Sequence, residues 1–188
     1  MCGRYDNTRD QIAGLFRVYY ANFELGQNHN MSASDILDAY QHTFEYADAV
    51  LGSNGSLFSE RLQDLLGDEI WNFNLLILDR IELLPKYRGR SLGLLVMRSL
   101  IERFGAGAGV VGIKPFPLQF ELKELSGSRW RTRLGLDNFP ADSKKATRKL
   151  KDYYGKLGFV PMRSTPFTFL STAWALPTEK QLCAKVRG

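Results

Sequence analysis

Asn74-Leu75-Leu76-Ile77-Leu78-Asp79-Arg80-Ile81-Glu82-Leu83-Leu84-Pro85 runs through Lys86-Tyr87-Arg88-Gly89-Arg90-Ser91-Leu92-Gly93 into Leu94-Leu95-Val96-Met97-Arg98-Ser99-Leu100-Ile101-Glu102-Arg103-Phe104. It reads as a buried strand, a glycine-bearing turn and a helix start. Gly89 and Gly93 keep side chains off a turn whose N–H groups point outward, and the helix adds the positive end of its dipole. Such a segment can hold a phosphate, so an anionic cofactor is the first expectation. The lettering fits neither Gly-x-x-x-x-Gly-Lys-Ser/Thr nor the dinucleotide fingerprint.

Beyond this helix, Gly105-Ala106-Gly107-Ala108-Gly109 releases the chain into a short strand, Val110 to Lys114, which completes a βαβ unit. Pro115-Phe116-Pro117 interrupts, and the charged segment 115–143 reads as an excursion. A helix over 146–156 follows, then strands near 159–164 and 167–174. Upstream, 15–25 reads as one strand ended by Gly26-Gln27-Asn28-His29-Asn30. Ser32 or Ser34 caps a helix running to about Ala49, Gly52 to Ser56 breaks it, and a second helix over 57–66 stops at Gly67. The expected class is a mixed α/β single domain, its central mixed sheet flanked by helices on both faces. Residues 1–70 form the N-terminal strand and helices of that domain, 71–175 the core that carries the glycine turn and the excursion, and 176–188 a tail.

Leu83-Leu84-Pro85-Lys86-Tyr87-Arg88-Gly89-Arg90-Ser91-Leu92-Gly93 resembles the V-x-P-x-Y-R-G-x-G-x-G acyl-CoA loop of the GNAT acyltransferases, and Tyr153-Tyr154-Gly155-Lys156-Leu157-Gly158-Phe159 resembles that family's F-Y-x-K-L-G-F helix end. The resemblance covers roughly 70–175, with the two motifs in the family's order; Ser91 stands where the loop pattern has its middle glycine. It implies a co-substrate, acetyl-CoA or coenzyme A. Arg88, Gly89, Arg90, Ser91, Leu92 and Gly93 would bind its pyrophosphate, and Ile81 and Leu83 would pair with its pantetheine arm. A serine hydroxyl at 91 can itself donate to a phosphate. The resemblance also implies a cleft between the strand ending at Leu84 and the strand 110–114.

Acyl transfer to an amine requires a base, a polarised thioester carbonyl and a proton for the departing thiolate. Strand alternation places Asp79, Ile81 and Leu83 on one face and Arg80, Glu82 and Leu84 on the other, so Arg80 and Glu82 can pair. Asp79 is left as the unpaired acid of an apolar strand, where burial would raise its pKa and suit it to act as a base; Glu82 is the second candidate. The Leu83 N–H would polarise the carbonyl. Tyr154, four residues before Gly158, stands where the family places the tyrosine that protonates the thiolate.

The chain of 188 residues, 44% hydrophobic, excludes a disordered polymer. No apolar run reaches a membrane span and the start lacks a signal-peptide core, so cytoplasmic residence and no membrane partner are expected. Cys2 and Cys183 make no disulfide or zinc pattern, and His29 and His42 have no ligand cluster near them; no metal is assigned. Residues 1–70 hold four basic and eleven acidic residues, net −7, and the remainder twenty-one and nine, net +12. A basic half carrying the loop suits a polyanionic cofactor, and an acidic half suits a cationic acceptor. The leading expectation is acetyl-CoA-dependent N-acetylation of a primary amine on a small molecule, protein or peptide. The alternatives are a silent GNAT-like domain that binds coenzyme A or a partner, and, last because no such motif accompanies the charge, a basic nucleic-acid binder. An edge strand pairing with a second copy would make a homodimer.

Overall fold

The computed structural model describes residues 12–53, 58–67, 70–121 and 129–184. Among them five strands form one mixed sheet. In chain order these are β1 (Gly14–Ala21), β2 (Asn74–Leu83), β3 (Ala108–Ile113), β4 (Val160–Pro161) and β5 (Thr168–Ser171), and in space they run β1-β2-β3-β5-β4. β2 and β3 are parallel, joined by the α-helix Leu92–Phe104 that the βαβ pattern requires; the other pairings are antiparallel.

Alternation along the central strands sorts the core into two layers. Leu75, Ile77, Val110 and Phe169 point to one face, Leu76, Leu78, Val111 and Leu170 to the other. The first face is covered by α1 (Phe23–Asn28), α2 (Ala33–Leu37), α4 (Ala47–Val50) and α5 (Glu60–Leu66), with α3 (Gln41–Phe44) between α2 and α4. The second is covered by α6 (Leu92–Phe104), α8 (Ser143–Gly155) and α9 (Glu179–Ala184). Both central strands are thus buried on both sides, which is why they read as continuous apolar runs. Among its described residues the excursion holds α7 (Arg129–Leu134) and the 3₁₀ turns Leu118–Phe120 and Leu136–Asn138.

Three local readings differ from the structure. The strand expected over 15–25 ends at Ala21, because the Asn22 side chain accepts from the Leu25 N–H at 2.9 Å and starts α1. The single helix expected to Ala49 is three short ones. Ser32 caps the first in a reciprocal box with Asp35, Tyr40 is extended (φ −144°, ψ 141°), and the Thr43 hydroxyl, bonded to the Leu37 and Tyr40 carbonyls, turns the chain. The helix expected from 57 starts at Glu60 behind the Ser59 cap, and Gly67 ends it at φ 78°. The segment after 176 includes α9, whose Leu182 is buried in the second layer.

No helix among the described residues is long and apolar enough to cross a membrane. Cys183 is an exposed free thiol; Cys2, and most of the break at Gly52 to Ser56, lie outside the described residues. Leu76 is completely buried between β2 and the second layer, so Leu76→Ala should cost about 2–5 kcal/mol, read as a lowered urea midpoint with unchanged m-value.

Candidate functional site

The site begins where the two central strands part. Pairing between β2 and β3 ends at Ile77 with Gly112, yet β2 continues to Leu83, held on its other edge by β1 as far as Gly14. Pro115 and Pro117 follow β3 and lack the N–H that a continuing ladder would use. The Leu84 N–H donates to the Ala13 carbonyl on the β1 side, so by alternation the backbone groups of Ile81 and Leu83 face the gap. A cleft of about 460 Å³ fills it, bounded by the end of β2, the turn 88–93, α6, the exit of β3, the excursion and α8.

A bulge reorders the β2 side chains. Arg17 pairs with Arg80 and Val18 with Leu78, leaving Asp79 without a cross-strand partner. Ile81 therefore packs in the same layer as Leu76 and Leu78, whereas Asp79 faces Tyr46 of the other layer. The expectation that Asp79 shares a face with Ile81 and Leu83 fails for this reason. Nor is Asp79 unpaired: Arg17 Nε donates to its Oδ2 at 2.5 Å, from the neighbouring strand that local sequence could not align. Tyr46, buried beneath it, has its phenol pushed up by burial first and by Asp79 and Glu45 after.

Glu82 does line the cleft, and it is fully engaged. Arg80 Nε donates to Oε1 at 2.6 Å, the local pair expected, and Trp130 Nε1 donates to Oε2 at 2.6 Å. Arg80 also makes a two-toothed contact with Glu121, at 2.6 Å for each oxygen, and Arg131 donates to the same carboxylate at 2.8 Å. Hydrogen bonds from Arg80 hold the Glu121 carboxyl below its ordinary range and push the Arg80 guanidinium up. The two contacts that tie the excursion to β2, Arg80 with Glu121 and Trp130 with Glu82, link residues 41 and 48 positions apart and have no sequence signature.

The turn after β2 has the geometry that glycine-bearing turns favour. Gly89 lies at φ 77° and Ser91 at φ 57°, a left-handed conformation that serine seldom adopts. The Ser91 hydroxyl does not face the turn as expected; it donates to the Leu182 carbonyl of α9 at 3.2 Å and is buried. Gly93 is required because a Cβ there would come within 2.6 Å of Tyr153 Oη, which accepts from the Leu94 N–H. Among the described residues the N–H groups of Gly89, Arg90, Ser91, Leu92 and Gly93 have no acceptor, and they surround the start of the thirteen-residue α6. Arg90 is exposed. Arg88, expected at the pyrophosphate, is committed to the protein: Nε donates to the Leu83 carbonyl at 2.8 Å, a terminal nitrogen to the Leu134 carbonyl at 2.7 Å, and its plane lies over Phe139. Burial lowers its pKa from the ordinary arginine value.

Both tyrosines of the second motif line the cleft from α8, 5.9 Å apart. Burial raises the Tyr154 phenol, with Tyr153 adding to it, so it stays protonated at neutral pH. Burial raises Tyr153 too, against the Leu94 N–H it accepts. Lys145 and Lys149, on the helix capped by Asp142, border the same cleft. Sequence reasoning missed Phe116, Leu134, Leu136 and Phe139, which wall the cleft from the excursion. Their only signal was the apolar content of a charged segment. Comparison with protein-family models, curated proteins and solved structures finds no match to this chain.

The Glu121 shift fixes a pH dependence. Because its folded pKa lies below the unfolded 4.5, its stabilisation is complete above that value and is lost as pH falls through the folded pKa. The Tm difference between wild type and Glu121→Gln should be largest near pH 7 and shrink steadily below about pH 4.5. Arg88→Ala should lower Tm without any ligand, since it leaves two carbonyls without their donor.

Proposed function

We propose that this chain is a GNAT-type N-acyltransferase that moves an acetyl group from acetyl-CoA to a primary amine of a small molecule, protein or peptide. The observation that carries the reading is the parting of β2 from β3 directly beside a helix start with unpaired N–H groups. A free strand edge can bind an amide-containing arm through backbone bonds, and a helix N-terminus can bind the phosphates at its other end. The two motifs of the resemblance supply the walls of this one cleft.

Acetyl-CoA would supply the electrophilic thioester carbonyl. In this reading the chain's own groups divide the work. Ile81 presents its backbone groups to the arm, and the Leu83 N–H, whose carbonyl is held by Arg88, polarises the thioester carbonyl. The N–H groups from Gly89 to Gly93, with Arg90, take the pyrophosphate. Tyr154, kept protonated by burial, donates to the departing sulfur. Asp79 does not line the cleft; it lies two residues past the point where β2 and β3 part, paired with Arg17, and is assigned the amine's proton for an acceptor that enters from that face. Glu82 comes second, because both of its oxygens already hold the excursion in place.

A second reading, binding of coenzyme A without turnover, is favoured by the engagement of both acids with arginine. Thermal melting and turnover separate these readings. Acetyl-CoA at one hundred times its Kd should raise the midpoint by roughly 5–10 °C, and Arg90→Ala should reduce that shift. Tyr154→Phe should keep the shift and lower kcat about 100-fold on an accepted amine. A melting shift with no turnover on any amine supports the silent reading; no shift with acetyl-CoA or coenzyme A overturns both.

A further inference from the structure

The cleft offers its occupant two unlike walls. One is the edge of β2 turned away from β1, which offers the backbone groups of Ile81 and the Leu83 N–H, the Leu83 carbonyl being taken by Arg88. The other belongs to the exit of β3 and the excursion, where Phe116, Leu134, Leu136 and Phe139 line it, with Leu92 and Met97 contributed by α6. The polar side chains along the cleft are mostly occupied by the protein itself. Glu82 is held by Arg80 and Trp130, Arg88 by the Leu83 and Leu134 carbonyls, and Tyr153 by the Leu94 N–H. Phe116 and Phe139 each remain 43% exposed on this apolar wall. Aromatic surface left in water beside an apolar cleft gains most from an apolar occupant.

Charge borders the same cleft. Lys145 and Lys149 line it from α8, and the unpaired N–H groups of the turn 89–93 lie at its α6 side. An occupant that satisfies both has an anionic head, an amide arm for the β2 edge and an alkyl body for the opposite wall. A two-carbon acyl group leaves that wall wet.

We propose that the site also takes acyl-CoA donors with a medium-length alkyl chain, and holds them more tightly than acetyl-CoA, because the Phe116–Leu136–Phe139 wall shelters the chain. This rests on the acyl-CoA reading above and changes only the group transferred. The transfer itself balances as before. The amine nitrogen forms the C–N bond, the C–S bond breaks, the amine's proton passes to a base, and the sulfur takes a proton from Tyr154.

Titration calorimetry on the full chain with coenzyme A, acetyl-CoA and octanoyl-CoA tests it. Octanoyl-CoA should bind about tenfold or more tightly than acetyl-CoA, since each buried methylene adds affinity. Phe116→Ser, at a position 43% exposed, should remove most of that gain while coenzyme A binds as before. Equal affinity for the two thioesters overturns the inference and leaves the acyl-CoA reading standing. A gain that Phe116→Ser does not touch also overturns it, because the chain then lies elsewhere. If no coenzyme A species binds, the underlying reading fails and this inference with it.

Discussion

Everything at the candidate site depends on β2 being held along one edge and released along the other. β1 keeps pairing with β2 to its last residue, so β2 is held past the point where β3 leaves it, with one bulge at Asp79. β3 cannot follow, because a proline two residues past its end supplies no N–H and the next proline repeats the block. Paired on both edges, β2 would have no backbone groups to offer a ligand. Free on both, it would have no fixed direction. The cleft is the consequence of this asymmetry, and the helix start beside it follows because a parallel pair must be joined by a crossover helix.

The second constraint is the cost of charge near that opening. Arg80, Glu82, Glu121 and Arg131 are each partly withdrawn from water, and a single unpaired member would be expensive. They are satisfied together, with Trp130 closing the set. The result fastens the excursion across the end of β2 and turns its polar groups toward one another. Arg88 does the same on the other side, spanning from the Leu83 carbonyl to the Leu134 carbonyl. What remains facing the cleft is largely apolar side chain and strand backbone, with cationic groups along the border.

The turn 88–93 shows how tertiary contacts reassign residues that local sequence marks for binding. Its backbone shape was legible, since two glycines and a helix start allow few alternatives. Its side chains were not. Ser91 occupies a left-handed position at some conformational cost and spends its hydroxyl on α9, and Arg88 spends its guanidinium on carbonyls. In the proposed function, phosphate recognition falls to backbone N–H groups more than to the basic side chains of the turn.

The sequence by itself determined the central βαβ unit, the turn, the helix bearing the tyrosine pair and the mixed α/β class. Those features are encoded by apolar runs, glycines and helical spacing within a few turns of chain, where short-range sterics and periodicity act. It also marked the Pro115-Phe116-Pro117 interruption at which β3 ends. Contacts between distant segments set the bulge at Asp79, the Arg17 partner across the sheet, the Arg80–Glu121 and Trp130–Glu82 links and the apolar wall built by the excursion. Each of these joins residues tens of positions apart. Strand register and the pairing of buried charge depend on which segments meet, and no local pattern records that meeting.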